Sequence, residues 1–478
     1  MSADDSIRLS QAEFLDLLHR VERLEKASQT ASTSQTSSLP KNGDTNHHAV
    51  AADSDPEKGT FYIGGYGEAT MKRCFYSNNY LRYNTPDNYR NEGFGQFDLP
   101  HVCIWMGYNF GRGWSFGTEV EFEHGGTESA VEIEEEEGGE YETEVERGGE
   151  VALEQLWIQK EFARYAAIRA GMIIVPMGGT NAYHEPNRFF GVFRPEGENT
   201  ILPCTWHDIG LEFHGRYRWL GYTAQFLPGL ESDQFGNKSW IHYGSASAYE
   251  FKLANTYAGL ARLDFYPLDK LGKDNLRISV SGYCGTSFRN YLLQDLKSVT
   301  EDEKSNYYGV KGLVSLVGLD WCYDDHHVIF RGSAVYGHLG DANKISKFNL
   351  SQSSTSVSKR QIVGSDAYAV GAEIGYDFFH FNHKLVEKKQ KFYLFARYDI
   401  YDSQAKVGKS YTKAYWCGRQ KVSAGINYYP LPEVIIKAEA GCGFLNQNPD
   451  ATSKYSNEPY IALSVNYAGI FFRSKKRK

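Results

Sequence analysis

Long apolar runs are missing from this chain of 478 residues. No stretch of about 18 consecutive apolar residues occurs, and the mean hydropathy is -0.50, so the sequence excludes a transmembrane helix. The seven cysteines are scattered, odd in number and without C-x-x-C spacing, so neither a metal site nor a disulfide framework is predicted. The motifs G-x-S-x-G, G-x-x-x-x-G-K-[ST] and H-E-x-x-H are also missing. We therefore predict no enzyme activity and no cofactor.

Proline is scarce at 14 residues, while tyrosine, phenylalanine and glycine are abundant at 34, 28 and 47. That composition favours β-structure. From residue 61 onward, segments of ten or more residues alternate apolar and polar side chains, as in LRISVSGY (276–283) and YIALSVNYAGIF (460–471). Such segments are longer than ordinary globular strands and have the length of a tilted membrane crossing.

The connections between these segments alternate short and long, with eight long and seven short ones separating sixteen strands. This asymmetry is typical of transmembrane barrels, which have tight turns at one end and long loops at the other. We predict an all-β fold: a 16-stranded antiparallel transmembrane β-barrel formed by residues 60–478.

The first 30 residues predict a short periplasmic helix. Ser10 and Glu13 fit a capping box. Heptad spacing relates Ile7, Phe14, Leu17, Val21 and Leu24. Either a small self-associating coiled coil or a frayed amphipathic helix fits this pattern. Residues 31–59 are rich in Ser and Thr, which predicts a flexible linker.

Negative charge is concentrated in one region. The formal net charge is -8, but residues 119–154 hold fifteen Glu and one Arg, a net of -14, so the remainder carries +6. Within VEIEEEEGGEYETEVE (131–146), glutamates alternate with apolar residues on both sides of Gly138-Gly139. This predicts a β-hairpin with uninterrupted strands over 114–137 and 140–162 and a bulge near residue 150. Its acidic face comprises Glu132, Glu134, Glu136, Glu140, Glu142, Glu144 and Glu146.

The acidic hairpin admits three interpretations. A solvated surface is the simplest. Electrostatic enrichment of cations and repulsion of anions at a pore mouth is the second. Divalent cation binding by hard carboxylate oxygens is the third, although no EF-hand spacing is present. The charge distribution argues against nucleic acid as a partner.

Residues 114–230 resemble the phosphate-selective porin O/P family of Gram-negative outer membranes. The resemblance rests on WSFGTEVEFEHGG, EVALEQLWIQKEF, IRAGMIIVPMGGTNAYHEP and FFGVFRPEGENTILPCTWHDIGLEFHG. It implies a sixteen-stranded, commonly trimeric barrel that passes anions or small solutes and has an internal third loop. This chain has a series of Glu residues where phosphate selectivity in the family is associated with series of Arg and Lys. The resemblance therefore does not imply that phosphate is the substrate of this chain. The tail RSKKRK after Phe471-Phe472 also departs from the usual aromatic terminus.

The third long connection, 176–206, contains large apolar residues that favour burial, so we expect it to fold into the barrel and constrict it. The alternative is an external loop that packs on a neighbouring subunit. The charged residues of the expected constriction are His184, Glu185, Arg188, Arg194, Glu196 and Glu198.

Strand alternation also predicts which charges point into the lumen. The pore-lining set is Glu212, His214, Arg262, Asp264, Arg277, Arg331, Glu373, Arg397, Asp399, Arg419, Lys421, Lys437 and Glu439. These charges either create a transverse field that orders solutes, or pair with one another and stiffen the lumen.

These patterns predict an outer-membrane porin, a passive diffusion channel for small polar or charged solutes, in contact with lipid and assembled as a homotrimer. Both termini are expected in the periplasm, and the given sequence shows no signal peptide. The alternative is a surface-exposed barrel whose acidic hairpin and loops bind a partner or a divalent cation.

Overall fold

The computed structural model describes residues 59–90, 92–125, 132–134, 142–144, 151–245, 256–289, 311–352 and 359–474, with the backbone alone in the two three-residue segments. The predicted N-terminal helix, the linker to residue 58, the tip of the acidic hairpin and the basic tail from residue 475 lie outside the described residues.

Strands make up most of the described residues. They are β1 (Phe61–Cys74), β2 (Phe94–Asp98), β3 (His101–Gly111), β4 (Trp114–Glu123), β5 (Glu132–Glu134), β6 (Glu142–Glu144), β7 (Val151–Ala163), β8 (Ala166–Ile174), β9 (His207–Tyr217), β10 (Leu220–Pro228), β11 (Tyr257–Phe265), β12 (Leu276–Thr286), β13 (Leu313–Asp324), β14 (Val328–Leu339), β15 (Asp366–Asp377), β16 (Lys391–Lys406), β17 (Gly418–Leu431), β18 (Val434–Leu445) and β19 (Glu458–Arg473). The α-helices in the described connections are α1 (Glu196–Ile201), α2 (Ala342–Leu350) and α3 (His383–Glu387).

The main sheet closes on itself as an antiparallel barrel. β1 pairs with β19 on one edge and with both β2 and β3 on the other. β2 and β3 together form one barrel strand, interrupted at Leu99-Pro100, because proline cannot donate a hydrogen bond to the ladder. Counted in this way, the barrel has sixteen strands. The predicted fold class is confirmed.

The two faces of the barrel wall differ as the alternation predicts. In β12, Ile278 and Val280 are exposed on the outside, whereas Arg277 and Ser279 are buried on the inside. In β19, Leu463 and Val465 are exposed and Ser464 is buried. An apolar outer surface and a polar inner surface are typical of barrels that lie in lipid.

The acidic hairpin is present, but its first strand is not continuous with β4, and this part of the prediction is wrong. β4 ends at Glu123, and His124 and Gly125 follow with φ of 47° and 88°, a left-handed conformation that interrupts a strand. β5 and β6 then form a separate two-stranded sheet in which Glu132 faces Glu144.

The predicted bulge lies at Glu154. Along the β4–β7 pair, Glu119 faces Gln155 but Val120 faces Leu153, so Glu154 is the extra residue. Both Glu154 and Gln155 are consequently buried on the inner side.

The connection between β15 and β16, one of the seven short connections, contains the short helix α3. The Asn382 side chain accepts a hydrogen bond from the Lys384 amide, which favours this helix start. Among the described residues, no helix is both long and apolar enough to cross a membrane. All seven cysteine thiols are free.

Candidate functional site

The connection between β8 and β9, residues 175–206, is termed the inner loop because it runs through the barrel interior. Its apolar side chains are almost completely buried: Val175, Met177, Phe189, Phe190, Val192, Ile201, Leu202 and Trp206 are each at most 2% exposed. Phe190 stacks on Phe395 of β16, with ring centroids 5.6 Å apart. The loop therefore packs on the inner wall through the apolar residues that its sequence singled out.

The first part of the inner loop is hydrogen-bonded to the wall formed by β11 and β12. Nη1 of Arg262 donates to the carbonyl of Gly178 at 2.8 Å and to that of Pro176 at 3.2 Å. The Gly178 amide donates to Oγ of Ser281. These contacts turn the chain inward immediately after β8.

The middle of the inner loop reaches β15 and β18. The Phe190 amide donates to the Glu373 carboxylate at 3.1 Å, and the Val192 amide donates to Glu439 at 2.6 Å. Lys437 donates to the carbonyls of residues 189 and 191 at 3.0 and 2.8 Å. Wall side chains thus satisfy backbone groups of a segment that has no regular secondary structure.

Helix α1 places two loop glutamates in different environments. Glu196 accepts hydrogen bonds from Tyr401 at 2.6 Å and from Lys421 at 2.7 Å. Burial alone would raise its pKa, but the Lys421 ammonium and these hydrogen bonds lower the pKa well below its usual value. Glu198 accepts from Ser333 Oγ and from a backbone amide. Burial raises the pKa of Glu198, because these hydrogen bonds offset only part of the desolvation.

The other predicted loop residues also lie inside the barrel. His184 is buried, and its ring meets the Tyr66 ring edge-on with centroids 6.0 Å apart. Glu185 pairs with Arg188 at 3.3 Å between Oε2 and Nε. Arg194 is 8% exposed and interacts electrostatically with Cys204 and with two glutamates of the wall.

The predicted pore-lining residues all belong to the inner face, and with the exception of Arg331 each is less than a tenth exposed. Most of their charges are paired. The ion pairs that involve this set are Arg169–Glu212, His214–Glu212, Arg262–Asp264, Arg262–Asp320, Arg277–Asp320, Arg331–Glu373, Arg397–Glu373, Arg397–Asp399, Arg419–Glu458 and Lys421–Glu196. The pairs within β11 and β16 were anticipated from residues two positions apart. The cross-strand pairs with Asp320, Arg169 and Glu458 were not, because they depend on register.

A cavity of about 800 Å³ lies between the segment that follows β1, the connection between β10 and β11, and the connections before β15 and β17. Tyr83 stacks on Trp416 there, with ring centroids 4.2 Å apart and planes 3° apart. Arg82 and Arg419 both pair with Glu458, at 2.5 and 2.8 Å. Arg82, Tyr83 and Trp416 were not predicted from the sequence, because they belong to loops without a periodic pattern.

The acidic hairpin is described in its backbone at 132–134 and 142–144. Its register places Glu132 opposite Glu144 and Glu134 opposite Glu142. The other hairpin glutamates and all hairpin side chains lie outside the described residues.

No family model matches the chain, so the resemblance to phosphate-selective porins stays a prediction. An uncharacterized protein of Aquifex aeolicus (strain VF5) is 28% identical over 386 residues, which cover 79% of this chain and 74% of that protein. Among solved structures, the outer-membrane channel DcaP of Acinetobacter baumannii has a TM-score of 0.49 at 10% identity, covering 86% of this chain and 98% of that one. An anion-selective porin from Comamonas acidovorans has a TM-score of 0.45 at 8% identity, covering 86% and 98%.

Proposed function

We propose that this chain is an outer-membrane porin, a passive diffusion channel for small polar or charged solutes, narrowed by its inner loop. The observation that carries the proposal is a closed barrel that is apolar outside, charged inside, and crossed by a loop hydrogen-bonded to its inner wall. In lipid, a closed barrel satisfies all its backbone groups, and its polar face is left to line a path for water.

The width of the lumen and the packing of the side chains within it determine which solutes can pass. The lining charges are largely buried and paired, so the net field along the path is smaller than their number suggests. The inner loop packs so closely on its wall partners that Arg262 and Lys437 are 0% exposed. We therefore expect a narrow path, a small single-channel conductance and a sharp size limit for solutes.

A homotrimer is part of the proposal. Its support is the heptad spacing in residues 1–30, since a short coil gains stability when several chains associate. The exposed apolar band supplies the surface for lipid and for neighbouring copies of the chain.

Planar-bilayer recording tests the channel. The purified parent should give discrete conductance steps, and replacement of residues 190–203 by a short Gly/Ser turn should raise the conductance several-fold. The matched control replaces residues 447–455, in the connection before β19, by the same turn and should leave the conductance near the parent value. Equal conductances of the parent and the inner-loop variant would remove the constriction from the proposal.

A second candidate is a surface-exposed barrel whose acidic hairpin binds a partner. The observation that favours it is that β5 and β6 form a two-stranded sheet apart from the barrel sheet. A parent protein that inserts into bilayers and never conducts would favour this candidate over the channel.

A further inference from the structure

A group of potential metal ligands lies on the inner wall, apart from the ion pairs described above. Glu119 in β4, Glu154 in β7 and His184 in the inner loop each offer one ligand atom within 4.8 Å of the others. Cys103, Glu121 and Glu154 form a second set that meets the same limit. Glu154 belongs to both sets, and all five residues are buried.

Glu154 is the residue that points to a ligand. It is 0% exposed, and no donor group of another described residue hydrogen-bonds to either of its carboxylate oxygens. The adjacent Glu121 carboxylate is itself an acceptor, so a proton or a cation must lie between the two groups to stabilise them. A buried carboxylate without such a partner is strongly destabilising.

The β-bulge directs Glu154 into this group. Because Glu154 is the extra residue of β7, it points inward next to Gln155 instead of outward into lipid. Gln155 in turn donates its amide to Oε2 of Glu119 at 2.5 Å, which orients that carboxylate. Bulges of this kind commonly re-aim a side chain at a functional position.

His184 has the arrangement that metal-binding histidines use. Its Nδ1 lies 3.3 Å from the carbonyl oxygen of Asn181. A proton on Nδ1 donates to that carbonyl, which leaves Nε2 with a lone pair for coordination.

The balance of charge favours a divalent cation. The group contains the three carboxylates of residues 119, 121 and 154, and the nearby cation is Arg194. Full ionisation therefore leaves about two negative charges inside the barrel. Carboxylate, imidazole and thiol ligands together suit zinc and its first-row neighbours rather than calcium or magnesium, which take oxygen ligands.

We propose that Glu119, Glu154 and His184 bind a divalent transition-metal cation of the zinc class, with Cys103 and Glu121 as adjacent ligands. Two of the three ligands belong to the wall and one to the inner loop. Bound metal would therefore fasten the loop to β4 and β7, on the side of the barrel opposite the tethers at β15 to β18.

Zinc binding to the full-length, untagged protein in detergent tests the proposal. After treatment with EDTA and dialysis, titration calorimetry with ZnCl₂ at moderate salt should show about one tight site per chain. Glu154→Gln, which keeps the side-chain shape, should weaken that site at least tenfold. His184→Gln should do the same and serves as a second variant if Glu154→Gln fails to fold. Glu387→Gln, exposed in α3, is the matched control and should bind as the parent does.

Two outcomes would overturn the proposal. One is that the parent protein binds no more zinc than a sample of the same protein that has been denatured in the same detergent. A proton shared between Glu121 and Glu154 would then explain how the two carboxylates are stabilised. The other is unchanged zinc affinity in both Glu154→Gln and His184→Gln. Calcium that competes equally with zinc would overturn the assignment to the zinc class.

Discussion

The ammonium of Lys421 in β17 donates to Oε2 of Glu196 in the inner loop at 2.7 Å. The two residues are 225 positions apart in sequence. Tyr401 bonds the other carboxylate oxygen, so this contact holds α1 against the wall.

Lys421→Met should loosen the inner loop. We expect the free energy of unfolding to fall by about 1–3 kcal/mol, since a charge-assisted bond is lost and the Glu196 carboxylate, whose side chain is 33% exposed, is left without its cation. Urea denaturation followed by β-sheet circular dichroism measures this loss. The double variant Lys421→Met with Glu196→Gln should cost less than the two single losses added together. Strict additivity would mean that the pair does not couple the loop to the wall.

The two glutamates of α1 should respond to pH in opposite directions. Burial raises the pKa of Glu198, so its ionisation costs stability, and this cost is present in full above the native pKa and disappears as the pH falls from the native pKa to the unfolded value. Glu198→Gln should therefore gain stability relative to the parent as the pH rises from about 4.3, the unfolded value. The pKa of Glu196 is lowered, so its stabilisation is present above the unfolded value and lost as the pH falls further. Glu196→Gln should lose stability relative to the parent as the pH rises toward about 4.3 from below, and the difference should change little above that value. Urea midpoints at several pH values measure both trends, and parallel curves for the two variants would contradict this assignment.

A charged side chain on the outer face of the barrel should destabilise the protein in lipid. Leu463 in β19 is 50% exposed on the outside, and Leu463→Arg should destabilise the barrel in lipid vesicles by about 2–4 kcal/mol if the position is near the bilayer midplane. Leu463→Ala is the size control and should cost much less. Unfolding in urea from vesicles gives both values. Equal stability of the Arg and Ala variants would show that this face is not in hydrocarbon.

The acidic hairpin should act on permeating ions through its charge. The register pairs glutamates directly across β5 and β6, and opposed like charges destabilise a strand pair. We interpret the arrangement as the source of an electric field that acts on soluble ions. At physiological salt this field extends over about 8–10 Å. The variant carries Gln at Glu132, Glu134, Glu136, Glu140, Glu142 and Glu144. Its reversal potential should shift toward anion preference at low salt and much less at 1 M, and an unchanged potential at low salt would favour partner binding instead.

The heptad segment should support the oligomer. Deletion of residues 1–30 is expected to weaken the trimer and to leave the barrel folded, because the segment is separate in sequence from the strands. Native mass measurements in detergent compare the two proteins. A monomeric parent with the segment intact would remove the coiled coil from the proposal.

Sequence periodicity predicted the parts of the structure that repeat. Alternation placed Arg277 inside and Ile278 outside, since a strand has only two faces. The strand count followed from the connections, and the apolar character of Phe190 and Trp206 marked the inner loop for burial.

Features that depend on register could not be predicted in the same way. The ion pair between Arg262 and Asp320 joins two strands that are not neighbours in the sheet. The group of Glu119, Glu154 and His184 combines two strands, a bulge and a loop, and no local spacing links them. The break after Glu123 was not predicted because the alternation of Glu and apolar residues resumes at Val131, only a few residues beyond the left-handed Gly125.

The inner loop has a consequence for how the barrel forms. The Val192 amide bonds to Glu439, 247 residues later in the chain, and Lys437 bonds to the carbonyl of Phe189 over 248 residues. The loop is synthesised early, but these partners belong to β18, the penultimate strand. Contacts across such long separations form slowly, because much of the chain entropy is lost before they are gained. The loop should therefore be among the last segments to reach its native position, and the nascent barrel should pass through a stage in which its lumen is wider than in the finished protein.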